Sequence, residues 1–121
     1  MRQPALKRIY DPPAPADGAR VLVDRLWPRG IAKARAHIDL WLKDIAPSDA
    51  LRRRFHAKPE RWDAFCAAYF EELERPAARA AAEELHALRR KGPVTLLYAA
   101  RDQERNNAAA LRLWLDKRKR K

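Results

Sequence analysis

The sequence predicts a small α/β domain with a short, mainly parallel sheet of about three strands and about five helices. Two near-continuous aliphatic runs, Val21-Leu22-Val23 within Arg20–Leu26 and Val94 to Tyr98, suit strands covered on both faces. Between them apolar side chains recur every three or four positions, the helical period. The order strand, strand, several helices, strand, helix then makes the two runs parallel and joined by a helical crossover. A chain of 121 residues holds one such domain, 1–121, and no second core.

Each element has its own warrant. Leu6 to Tyr10 reads as a short first strand of open pairing, ended by Pro12, Pro13, Pro15 and Gly18. The second strand, Arg20–Leu26, is closed by Pro28 and Gly30. From Asp39 the spacing of Leu40, Trp41 and Ile45 predicts amphipathic helical turns that Pro47 terminates. Ser48 or Asp49 can cap a short helix holding Leu51 and Phe55. Pro59 opens a longer helix whose stripe, Trp62, Phe65, Cys66, Tyr69 and Leu73, faces the core. Ala77 to Lys91 forms the next, with Leu85 and Leu88 inward and a basic last turn that suits the helix dipole. After the Val94–Tyr98 strand, Asp102 is placed to cap a final helix through Ala108, Leu111, Trp114 and Leu115. That helix is expected to fray into a flexible basic tail at 117–121.

Composition narrows the function classes. Apolar residues at 47% against 36% charged can fill a core and do not match a disordered chain. The net charge is +11, and five of those charges lie in Lys117 to Lys121. Arginine greatly outnumbers lysine and alanine is frequent, a bias that GC-rich coding produces without a nucleic-acid partner. The single cysteine, Cys66, forms no internal disulfide, and one Cys with His37, His56 and His86 in separate segments gives no metal-ligand spacing. No cofactor is expected. The apolar run Val94 to Ala100 is far short of the ~20 residues that span a bilayer, and Met1 to Asp11 carries no signal-peptide pattern. A cytoplasmic protein without membrane contact is expected.

Chemistry-bearing residues gather at two strand ends, where open parallel sheets bind ligands. The first cluster, Asp24-Arg25-Leu26-Trp27-Pro28-Arg29-Gly30, combines a carboxylate, two guanidinium groups and an indole. The second runs from Tyr98 through Arg101 and Asp102 to Asn106 and Asn107. Arg25 and Arg29 are surface ion-pairing groups or a fork that grips phosphate or carboxylate. Arg101 either completes that anion pocket or pairs with Asp102. Asp24 orients an arginine or serves as a general base. Trp27 fills core or walls a planar ligand. Asp102 caps a helix, and Asn106 with Asn107, poor helix formers side by side, point to hydrogen-bonding roles. Cys66 reads as a small buried hydrophobe. If the two strands are neighbours, both clusters share one cleft.

The stretches Arg20 to Gly30, Ile38 to Ser48, and Leu96 to Asp102 followed by Asn106-Asn107-Ala108 closely resemble the YeaO-like family, a bacterial branch of a larger group of domains of unknown function. The likeness runs from about Lys7 to Leu115 and implies a compact α/β protein without an assigned reaction. Relatives often carry Gly-His-Asp-Pro ahead of the Trp-containing helix, where this chain reads Phe55-His56-Ala57-Lys58-Pro59, with the histidine displaced by one position. In more distant relatives the strand equivalent to Leu96–Tyr98 tends to end in cysteine; Tyr98 stands there, so a phosphatase-like nucleophile is not offered at that place.

Two functions follow as expectations. In one, a small anionic ligand is held by Arg25, Arg29 and Arg101 and walled by Trp27, with Tyr98, Asp102 and Asn107 also in the binding set, while Asp24 with Asn106 fixes orientation or, if the protein is an enzyme, moves a proton as its catalytic group. In the other, the basic surface, including Arg52, Arg53 and Arg54, and the tail neutralise nucleic-acid phosphates. No helix-turn-helix, RNP-type strand or zinc finger accompanies the second.

Overall fold

Both aliphatic runs become central strands of a four-stranded, all-parallel sheet in a computed structural model that describes residues 3–119. The strands are β1 (Ala5–Arg8), β2 (Ala19–Leu22), β3 (Leu40–Trp41) and β4 (Val94–Tyr98), in the order β1-β4-β2-β3. β4 pairs with β1 from Ala5↔Thr95 to Arg8↔Tyr98 and with β2 from Ala19↔Val94 to Leu22↔Leu97. The open question of the first strand is thus answered: it is parallel, on the far side of β4 from β2.

Side-chain alternation divides the sheet between two cores. Val21, Val23, Val94, Leu96 and Tyr98 belong to the larger core, with helices α2 (Asp49–Ala57), α3 (Trp62–Leu73), α4 (Pro76–Lys91) and α5 (Asn107–Lys119). Leu22 and Leu97 enter a second, smaller core with Ile9 and Ala36, covered by Trp27, Ile31, Ile38 and Trp41. A one-turn helix, α1 (Lys33–Ala36), lies within that cover. Apolar residues at successive positions of β2 and β4 therefore have a cause, since both faces are buried.

The predicted stripe of α3 holds: Phe65, Cys66, Tyr69 and Leu73 are buried and Trp62 is half-buried. Ser48 caps α2, its Oγ accepting from the Leu51 N–H at 3.2 Å. Glu72 of α3 fixes this cap, accepting from the Ser48 N–H at 2.7 Å and its hydroxyl at 2.6 Å.

Other expectations are corrected. Leu40 and Trp41 form the edge strand β3, not a helical turn, and the helical portion is a short 3₁₀ turn, Lys43–Ile45. Pairing with Val21 and Leu22 overrides the local spacing, which fits either structure over so few residues. The sheet gains a fourth strand by this exchange. Helix α3 begins at Trp62, three residues beyond Pro59. Helix α5 is entered from Asn106, whose Oδ1 accepts from the Ala109 N–H at 2.8 Å; Asp102 caps the preceding turn by accepting from the N–H groups of Glu104 and Arg105. The helix continues to Lys119, into the segment expected to fray, and Arg120 and Lys121 of the tail lie outside the described residues.

Largely buried charge ties β1 to the segment that enters β2. Asp17 accepts from Lys7 Nζ at 3.1 Å, Arg20 Nη1 at 2.6 Å and the Ala14 N–H at 3.0 Å. Arg20, also buried, completes its bonds on the carbonyls of His37 and Ala36. Burial works against the Asp17 carboxylate, but these donors hold its pKa below the usual 3.8. Beside it, Gly18 adopts φ 64°, and a Cβ there would meet the Pro93 carbonyl oxygen at 2.2 Å.

Candidate functional site

At the carboxyl ends of β2 and β4 the two clusters do meet, because the strands are direct neighbours. Asp24 is the brace between them. Its Oδ2 accepts from the Ala99 N–H at 2.9 Å and its Oδ1 from Asn107 Nδ2 at 2.9 Å, while the same amide donates to the Val23 carbonyl at 3.0 Å. One carboxylate thus joins β2, the end of β4 and the first turn of α5. Burial raises the Asp24 pKa; the Asn107 and Ala99 donors and the charge of Arg52 oppose the rise.

Replacing Asp24 by alanine leaves the Ala99 N–H and the Asn107 amide short of an acceptor, and is expected to cost about 1–3 kcal/mol of unfolding free energy, read from urea denaturation. Because the folded protein holds the Asp24 proton more tightly than the unfolded chain, this residue's contribution falls as pH rises from 3.8 through its folded pKa. Asp24→Asn removes that slope. A pH–stability profile identical in wild type and Asp24→Asn would contradict the assignment.

Several predicted ligand groups are committed to internal bonds. Arg25 donates from Nε to the Pro47 carbonyl at 3.2 Å and from Nη2 to the Ala46 carbonyl at 3.1 Å, fastening the loop ahead of α2. Trp27 donates from Nε1 to the Ile31 carbonyl at 2.7 Å and meets Trp41 edge-on at 5.3 Å. Tyr98 is buried in the main core, with its phenol pKa raised by desolvation. Asn106 is almost wholly buried; besides capping α5 it donates from Nδ2 to the Asp102 carbonyl at 2.9 Å. Asp102 is exposed, and the N–H groups of Arg105 and Glu104 hold its pKa below the usual value.

Arg29 and Arg101 differ from these. Both are exposed, and neither side chain has a hydrogen-bonding or ionic partner among the described residues. Two residues that sequence reasoning passed over connect the backbone at Arg29 with the peptide before Arg101. Arg8, at the end of β1, donates from Nε to the Ala100 carbonyl at 2.8 Å and from Nη2 to the Ala99 carbonyl at 3.0 Å. Its guanidinium lies 4.9 Å above the Tyr10 ring, and the Tyr10 hydroxyl donates to the Arg29 carbonyl at 3.0 Å. Arg29, Tyr10, Arg8 and the peptide before Arg101 therefore form one connected rim. Only the parallel β1–β4 pairing, left open by the sequence, could have drawn attention to Arg8 and Tyr10.

Elsewhere, Arg52 and Arg53 pair with Asp49 at 2.6 and 2.8 Å, so two of the three consecutive arginines are partly neutralised. Among the described residues no cluster of three or more His, Cys, Asp or Glu has the arrangement to hold a metal ion, and no helix is long and apolar enough to cross a membrane.

Comparison with known proteins places this architecture. A family model described as "Inactive DUF488-N3 subclade" matches residues 3–121. The chain belongs to the DUF488 family. Within it, the chain is 42% identical over 109 residues to the uncharacterized protein YeaO of Escherichia coli (strain K12), covering 90% of this chain and 93% of that protein. It is 46% identical over 104 residues to the uncharacterized proteins Mb3100c of Mycobacterium bovis and Rv3073c of Mycobacterium tuberculosis, covering 86% of each chain. No solved structure matches it. The YeaO-like assignment thus agrees with the three sequence stretches that first pointed to it, two of which end in the loops braced by Asp24 or contacted by Arg25.

Proposed function

We propose that this YeaO-like domain is a binding module for a small anionic ligand, bearing phosphate or carboxylate, that docks without turnover on the rim at the carboxyl ends of β1, β4 and β2. The observation that carries the reading is the connected rim of Arg8, Tyr10, Arg29 and Arg101, in which two guanidinium groups point no hydrogen bonds inward. Guanidinium forks suit bidentate phosphate or carboxylate binding, and charge-assisted bonds of this type are among the stronger ones. Asp24, Arg25 and Trp27 serve the rim by fixing its loops, as positioning residues. The description of the matching subclade as inactive favours binding over catalysis.

The test is calorimetric titration with inorganic phosphate, pyrophosphate and small dicarboxylates at low salt. Joint replacement of Arg29 and Arg101 by alanine is expected to weaken the best of these at least about tenfold, equivalent to about 1.4 kcal/mol. Both side chains are exposed, so the thermal midpoint should stay within the small range of ordinary surface substitutions. Unchanged affinity in the double variant overturns the reading.

Nucleic-acid binding through the basic C-terminal run is the competing proposal, favoured by the five consecutive cations from Lys117 to Lys121. Lys117 lies 5.2 Å over the Phe70 ring, on the helical side of the sheet. A steep fall of affinity for mixed DNA or RNA with salt, lost when the run is neutralised, would support it over the rim.

A further inference from the structure

Away from the strand ends, α2, the 58–61 connection and α3 enclose a groove of about 330 Å³, at the small end of the range that holds small organic ligands. Its wall is apolar. Leu51 and Phe65 are buried, Phe55 and Ala68 half-buried, and Phe55 stacks on Phe65 with ring centroids 4.5 Å apart. Its edge is cationic: Arg54 on α2, Lys58 in the connection and Arg61 just before α3 all line the groove and are all exposed. None of the three has an acidic partner among the described residues, and no lining residue is acidic. Of the carboxylates nearby in sequence, Glu60 is exposed, does not line the groove and forms no ion pair with the three cations among the described residues; Asp49 pairs with Arg52 and Arg53, and Asp63 lines the separate concavity beside Lys117.

Three cations around an aromatic and aliphatic trough, without a counter-ion of their own, form a surface of one chemical specification. Its complement has an apolar body and a single anionic head. We propose that this groove binds an amphiphilic carboxylate, an alkyl or aryl acid, with the hydrocarbon laid along Leu51, Phe55, Phe65 and Ala68 and the carboxylate held by Arg54, Lys58 and Arg61. Placement of the cations on successive elements matters: the backbone bonds from Lys58 N–H to the Arg54 and Phe55 carbonyls and from Arg61 N–H to the Lys58 carbonyl fix the connection that carries them. The head group would thus meet cations carried by a backbone that is itself hydrogen-bonded in place. The inference stands apart from the rim at the strand ends and shares none of its residues.

The experiment titrates the full chain with hexanoate, octanoate and decanoate, with decanol as the uncharged control. Saturable one-to-one binding is expected, tightening by about fourfold for each added methylene until the groove is full. Decanol should bind at least about tenfold more weakly than decanoate, because it lacks the charge-assisted contacts. Joint replacement of Arg54, Lys58 and Arg61 by alanine should weaken decanoate by at least about tenfold. Ala64→Trp, which fills an exposed part of the groove without altering charge, should abolish binding with circular dichroism unchanged. The Arg29/Arg101 double variant should bind decanoate like wild type. Equal affinity for decanol and decanoate, an unaffected triple variant, loss of binding in the Arg29/Arg101 variant, or binding of acidic amphipathic peptides but not of decanoate would each overturn the proposal.

Discussion

Asp17→Ala is expected to lower the unfolding free energy by about 3–5 kcal/mol, the range for removing one partner of a buried ion pair. Three donors lose their acceptor at once: Lys7 Nζ, Arg20 Nη1 and the Ala14 N–H. Arg20 is the costly one, being only 5% exposed, and its remaining bonds to the His37 and Ala36 carbonyls do not neutralise a buried guanidinium. Since domains of this size are stable by about 5–15 kcal/mol, the loss should be visible as a large fall in the urea midpoint. Acid should reveal the same group. Its pKa is lower in the folded protein, so its contribution is fully present above the unfolded value of 3.8 and is lost as pH falls through the folded one. Asp17→Asn should therefore flatten the acid limb of the stability profile below about pH 4. A midpoint unmoved by Asp17→Ala would show that solvent, not Asp17, satisfies Arg20.

Gly18→Ala should be comparably damaging for a different reason. At φ 64° and ψ −138° the backbone lies where side chains are strained, a cost of about 1–3 kcal/mol by itself. To that is added a contact no real Cβ makes, 2.2 Å from the Pro93 carbonyl oxygen. The obstructing atom is backbone, and it is the acceptor of the Ala19 N–H at 3.0 Å, the bond that opens the β2–β4 ladder. Relief therefore requires the two central strands to part at their amino ends. The expected outcome is a loss above about 3 kcal/mol in urea denaturation, among the large single-substitution effects. Because β2 and β4 carry the rim at their other ends, the variant should also show weakened anion binding in whatever fraction stays folded. A destabilisation under about 1 kcal/mol, less than the backbone strain alone should cost, would mean that the chain around Pro93 yields easily.

The residues that were legible locally are those whose neighbours in sequence decide them. The α3 stripe, the Ser48 cap and the aliphatic strands follow from period and side-chain type, and the structure retains them. Misread elements were short and held by distant partners. Leu40 and Trp41 form a strand because Val21 and Leu22 offer a free ladder edge. The entry to α5 moved from Asp102 to Asn106 because Asn107 must reach Val23 and Asp24, which pins the helix start. The candidate site divides the same way. Polar density at two strand ends was visible, but nothing local distinguishes Arg25, bonded to the Ala46 and Pro47 carbonyls, from Arg29 and Arg101, which face outward.

Hydrophobic period and turn chemistry, which act over a few residues, were enough to specify an α/β domain with two buried parallel strands and a helical layer. Tertiary structure alone decided the place of β1 beside β4, the burial of the Asp17–Arg20 pair, and which arginines brace loops and which stay available. A guanidinium or carboxylate looks the same in a string of residues whether it is to be neutralised or left in water. Its fate depends on carbonyls, donors and apolar walls delivered from dozens of positions away, and those meet only when the sheet closes.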